Sequence, residues 1–161
     1  MKRLVFLMAA VMLMAFGAEA KEMNHRLGVG PKWPFSIDLP GIGIHYFPNS
    51  DYCVTGALGI ETEKGSSAFG LQGGIRRIFF EERNLNFFVG GAFGILSNEV
   101  AGSNSSGFEM MALSGGEFFF EGLDNLGFNF QMGVGVQSLK SATRFFTVAH
   151  TPVQGGVIFY F

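Results

Sequence analysis

The 161-residue sequence contains a single cysteine, Cys53. That excludes a disulfide within the chain and a cysteine-based structural zinc cluster. In an oxidising compartment a lone thiol reads as a small buried hydrophobe. Charge is scarce as well: charged residues make up 15% of the chain, where a water-soluble domain carries about a quarter. The basic residues form no block that could track phosphates, so nucleic acid is excluded as a partner. The three histidines, His25, His45 and His150, belong to no close metal-ligand pair. No complete G-x-S-x-G or G-x-G-x-x-G motif occurs, despite 24 glycines. No metal, cofactor or catalytic residue is therefore assigned. Beyond residue 20, no apolar run is long enough to cross a bilayer as a helix.

The N-terminus differs from the rest. Lys2 and Arg3 precede an apolar stretch over residues 4–16, and Ala18-Glu19-Ala20 offers small residues at both positions a signal peptidase reads. The expectation is a signal peptide over 1–20 and a mature domain over 21–161 that begins at Lys21. The apolar stretch is too short for a comfortable anchor helix. No cysteine follows it directly to carry a lipid.

Forty-eight per cent of the chain is apolar. Without long runs, that hydrophobicity has to be spread by alternation, the mark of strands with one greasy face. Residues 126–139 are the clearest case. Leu126, Phe128, Phe130, Met132, Val134 and Val136 fall on one face, and Gly127, Asn129, Gln131, Gly133, Gly135 and Gln137 on the other. An alternation of about 11 residues matches a tilted bilayer crossing better than a soluble strand. The pattern recurs over 26–33, 41–47, 52–63, 67–80, 85–96, 108–120 and 153–161, which makes eight strands. Short turns are expected at 48–51, 81–84 and 121–125, and longer connections at 34–40, 97–106 and 140–151, with 62–66 a short exception among them. Short periplasmic turns alternating with longer outer loops describe an all-β, eight-stranded antiparallel up-and-down transmembrane barrel.

A soluble lipocalin-like barrel has a similar strand count but turns its polar face to water. Here the polar face is built of Gly, Asn, Gln, Thr and few charges, too few for a wet sheet. Glycine on that face suits a narrow lumen. The apolar face is thus expected to meet lipid. Lys32, Glu61, Arg76, Glu109 and Glu117 are expected inside, as a paired structural network. His45 is expected to be a hydrogen-bonded lumen side chain. A barrel of this size is just wide enough to be filled by its own side chains, so a narrow ion path is the sharper alternative.

The chain ends at Phe161, with Phe159, Val157 and Val153 on the same face. This ending, the secretory N-terminus and the eight spans resemble the small eight-stranded bacterial outer-membrane barrels of the OmpX and OmpA transmembrane-domain groups. The resemblance covers essentially the whole mature chain and is architectural; no motif assigns a subgroup. It implies a cell outer-membrane location, contact with outer-membrane lipids and lipopolysaccharide, recognition by the outer-membrane assembly machinery through the C-terminal strand, and a monomer. It also implies a structural or interaction role without catalysis. Some barrels of this size deacylate or acylate lipid A at the outer-leaflet rim. Such chemistry would draw on His150, Glu109, Ser138 and Ser141. The deacylase pattern, a His and a Ser two apart beside an Asn, is not met by His150-Thr151-Pro152. A lipid-modifying enzyme and a narrow channel remain the alternative readings.

Overall fold

The computed structural model describes residues 23–100, 102–140, 142–147 and 153–161. The expected signal peptide lies outside the described residues. They form nine strands: β1 (Leu27–Lys32), β2 (Gly41–Asn49), β3 (Tyr52–Glu63), β4 (Ser66–Glu82), β5 (Leu85–Val100), β6 (Ser103–Phe119), β7 (Leu126–Leu139), β8 (Ala142–Thr147) and β9 (Gln154–Tyr160). Every pairing is antiparallel, β1 to β7 follow one another as a meander, and β9 pairs with both β7 and β1. β8 lies along residues 134–139 of β7 and β9 along residues 126–131, so the two share one strand position. The wall is a closed eight-stranded barrel. Phe161 adds the last rung: its N–H donates to Leu27 O at 2.9 Å and its carbonyl accepts from Leu27 N at 3.3 Å.

The alternation sorts the two faces as expected. Ile60 (66% exposed), Phe79, Phe93, Met110, Met132 and Val134 point outward, while Gln72, Phe88, Asn129 and Gln131 are buried inside. Met111, Leu113 and Phe119, which interrupt the contrast within 108–120, also turn inward and fill the lumen. Apolar side chains close the end at which β1 starts and β9 finishes, where Phe47, Ile78, Phe88, Phe119, Ile158 and Tyr160 pack with Cys53 and Met23. Cys53 is thus a small buried hydrophobe.

Three connections depart from expectation. Residues 97–106 are not a loop: β5 and β6 run on, with Ser97 Oγ bonded to Asn104 and Ser106. Both faces are polar there, so no apolar period marks the strands. Residues 62–66, by contrast, are short as expected, a two-residue turn at Lys64-Gly65, where Gly65 takes the left-handed φ of 81° that a side chain would resist. Part of the expected 140–151 loop is β8. Its inward residues are Arg144 and Phe146 and its outward ones Thr143 and Thr147 beside Phe145, a mixture without alternation of polarity. The rest of that loop, 148–152, lies outside the described residues.

The largest departure is the connection from β1 to β2. Residues 33–40 fold back into the barrel, with Phe35, Ser36 and Leu39 buried. Pro34 and Pro40 bracket the segment and cannot donate to a ladder, so β1 stops at Lys32 and β2 starts at Gly41.

Candidate functional site: the plugged lumen

The register places one inward row across five strands. Gln72 on β4 faces Gly94 on β5, which faces Glu109 on β6, then Gln137 on β7 and Arg144 on β8. This row closes around Ser36 of the inserted segment. Ser36 N–H donates to Glu109 Oε2 at 2.9 Å, Gln137 Nε2 donates to Ser36 Oγ at 2.6 Å, and Arg144 donates to Ser36 O at 3.4 Å. Gln72 Nε2 donates to both Glu109 Oε1 at 3.0 Å and Pro34 O at 2.9 Å. Glu109 is buried yet accepts two hydrogen bonds, which is how a carboxylate is held inside a protein.

A chain of amides links this layer to the next. Gln154 Nε2 donates to Phe35 O at 3.1 Å and its Oε1 accepts from Gln131 Nε2 at 2.7 Å. Gln131 Oε1 accepts from Arg76 at 2.7 Å, and the Arg76 guanidinium lies 4.1 Å above the Phe88 ring. The second inward row runs from Asn86 through Glu117 and Asn129 to Gly156 and Lys32. Tyr160 donates to Glu117 Oε1 at 2.6 Å, and His45 Nδ1 lies 3.0 Å from the same phenol oxygen. With the phenol proton on Glu117, His45 carries its own proton on Nδ1 and donates it to Tyr160. His45 Nε2, Arg76 Nε and the side-chain amides of Asn86 and Asn129 have no hydrogen-bond partner among the described residues. Such buried groups are suited to ordered water.

Of the charges expected inside, Lys32, Arg76, Glu109 and Glu117 are there, and Glu61 is not. Glu61 stands exposed where β3 rises beyond the start of β2. Arg76 and Glu117 do not bond each other; each is held by a neutral partner, Gln131 and Tyr160. Glu109, a candidate for rim chemistry, is turned into the lumen because it alternates with the outward Phe108 and Met110. Ser138 is half-buried on β7, while His150 and Ser141 lie outside the described residues. His45 is a bonded lumen side chain, with Tyr160 as its partner. Sequence reasoning missed Ser36 because it looked like part of an external loop. Only the buried Phe-Ser-Ile stretch between two prolines, unusually apolar for a loop, could have signalled it.

No protein-family model matches the chain, and no curated protein matches it. A solved structure does. The crystal structure of the N-terminal β-barrel domain of Pseudomonas aeruginosa OprF aligns with a TM-score of 0.51 and 19% identity, covering 86% of this chain and 98% of that one. The chain has the fold of a small OmpA-like eight-stranded barrel. At that identity the likeness speaks to the fold and carries no functional residue across.

Proposed function

We propose that this chain is an integral outer-membrane barrel with a structural or interaction role in the bacterial envelope and a lumen plugged by its own residues 33–40. The observation that carries this reading is the inverted polarity of a closed ladder. Ile60, Phe79 and Val134 are more than half exposed on the outside, while His45, Glu109 and Gln131 are buried within. In water such an apolar exterior is an aggregation liability. In a bilayer it is the required surface, and closure leaves few backbone groups to be desolvated unpaired. The likeness to the OprF barrel domain supports the same assignment.

The two termini then face the periplasm and the 33–40 connection faces outward. Export removes residues 1–20, the outer face contacts outer-membrane lipids and lipopolysaccharide, and the C-terminal strand engages the assembly machinery. The barrel acts as a monomer. Cell fractionation should find a heat-modifiable band in the outer membrane, with mass spectrometry reading a mature N-terminus at Lys21. A soluble periplasmic protein would overturn the membrane assignment, and an intact Met1 species the export assignment. The purified protein should give no conductance steps in planar bilayers; regular steps would instead favour the narrow channel.

A further inference from the structure

We propose that the socket around residues 33–40 is a binding site for an extended peptide, and that this segment of the chain is its occupant in cis. This deepens the interaction role proposed above, and the test below does not depend on the cellular location.

The wall treats the segment as a ligand. Four main-chain groups of residues 34–36 are read by side chains from four different strands: Pro34 O by Gln72, Phe35 O by Gln154, Ser36 N–H by Glu109 and Ser36 O by Arg144. The wall's own backbone supplies one bond, Trp33 N–H to Gly155 O at 3.0 Å. Recognition of backbone by convergent side chains is independent of the peptide's sequence, and two pockets add selectivity. The Phe35 ring lies against Gly59 and Gly70, where an added Cβ would come within 2.7 Å of ring atoms. Gln137 selects a hydroxyl at the next position through its 2.6 Å bond to Ser36 Oγ. The preferred occupant is therefore an aromatic residue followed by serine or threonine.

The wall also offers a way in. β8 pairs with β7 alone, and no described residue hydrogen-bonds the backbone of its other edge. β1 ends at Lys32 and does not rise beside it. Among the described residues, the outer edge of this six-residue strand therefore lies uncovered next to the socket, where Arg144 reaches Ser36. A free edge is a template for an extended peptide, and inside a bilayer its unpaired groups are costly until covered. A peptide paired with β8 would enter the lumen where residues 33–40 now enter. The tether of the cis segment holds it at high effective concentration, so an incoming peptide competes with it rather than meeting an empty site.

The test uses the full mature chain in detergent micelles and a fluorescein-labelled peptide of sequence Pro-Phe-Ser-Ile-Asp-Leu, that of residues 34–39. The variant Phe35→Gly/Ser36→Gly/Leu39→Gly removes the cis side chains. It should bind the peptide saturably and about tenfold or more tighter than the unaltered protein, and replacing the peptide's Phe by Ala should cost about tenfold. Adding Gln154→Ala to the variant should weaken binding. No saturable binding by the folded, heat-modifiable variant overturns the proposal, as does equal binding of the Phe and Ala peptides. If the variant does not fold, the unaltered protein is titrated with unlabelled peptide. Trp33, the one tryptophan, stands at the base of the segment and should report its displacement by a saturable emission change with the Phe peptide alone. No change, or the same change with both peptides, overturns it. Either failure leaves the outer-membrane assignment to its own fractionation test.

Discussion

Glu109 is the acceptor on which the inserted segment hangs. Replacing it by alanine would orphan two buried donors, Ser36 N–H at 2.9 Å and one proton of the Gln72 amide at 3.0 Å. Gln72 keeps its other bond to Pro34 O. Each buried donor left unpaired costs about 1–3 kcal/mol, so the two together cost roughly 2–6. Relief from burying a carboxylate, and water entering the vacated volume, offset part of this. The expected net loss is about 2–4 kcal/mol. Glu109→Gln retains one acceptor oxygen and turns an N–H₂ toward a donor, so it should cost about half as much. Urea titration in lipid vesicles would measure both, with Trp33 emission reporting the segment and heat-modifiability reporting the barrel. The emission should change at lower urea than the barrel unfolds, since the segment is attached to the wall almost entirely by side chains. An alanine variant within about 0.5 kcal/mol of the unaltered protein would refute the reasoning. Equal losses for alanine and glutamine would show that charge, not the count of acceptors, holds the segment.

Phe130→Arg places a charge on the lipid side of β7 and should cost about 2–4 kcal/mol in the same titration, if the proposed membrane orientation is right. Gln131→Glu, one residue away and inside, should be milder: it loses the donor to Gln154 but keeps the acceptor for Arg76 and sets a carboxylate beside that guanidinium; equal tolerance of both would contradict the assigned faces. Gly70→Val would drive a Cβ to 2.7 Å from the Phe35 ring, and should expel that ring at a cost of about 1–3 kcal/mol with a shift in Trp33 emission. An unchanged spectrum and stability would mean that the recess is not what seats Phe35. Deleting Phe161 removes both bonds to Leu27 and the end of the strand proposed to carry the assembly signal. Heat-modifiable protein in the outer membrane should fall, while refolding in detergent should suffer much less; a normal level in the membrane would sink the signal.

The barrel was legible because lipid or solvent outside and a narrow lumen inside impose opposite demands on alternate residues. Wherever those demands separate apolar from polar, as at Phe128, Asn129, Phe130 and Gln131, the strand and its faces can be read from spacing alone. Lys32, Arg76, Glu109 and Glu117 were placed inside by the same parity. The method fails where the two faces ask for the same thing. Ser103, Asn104, Ser105 and Ser106 are polar on both faces, and β8 carries Thr and Phe outside with Arg and Phe inside, so neither shows a period. Parity also gave no warning that Glu61 lies beyond the level at which β2 covers its strand.

Sequence by itself determined the eight strand positions of the wall and which face most of them turn outward. Those properties depend on neighbours one or two residues apart. Only the tertiary structure decided what fills the lumen. Phe35 finds its recess because Gly59 and Gly70 arrive from other strands, and Ser36 finds its partners because Glu109, Gln137 and Arg144 share a row that exists only once β6, β7 and β8 are in register. A loop residue carries no local trace of partners that are 73 to 108 positions away along the chain and meet it only inside the closed wall.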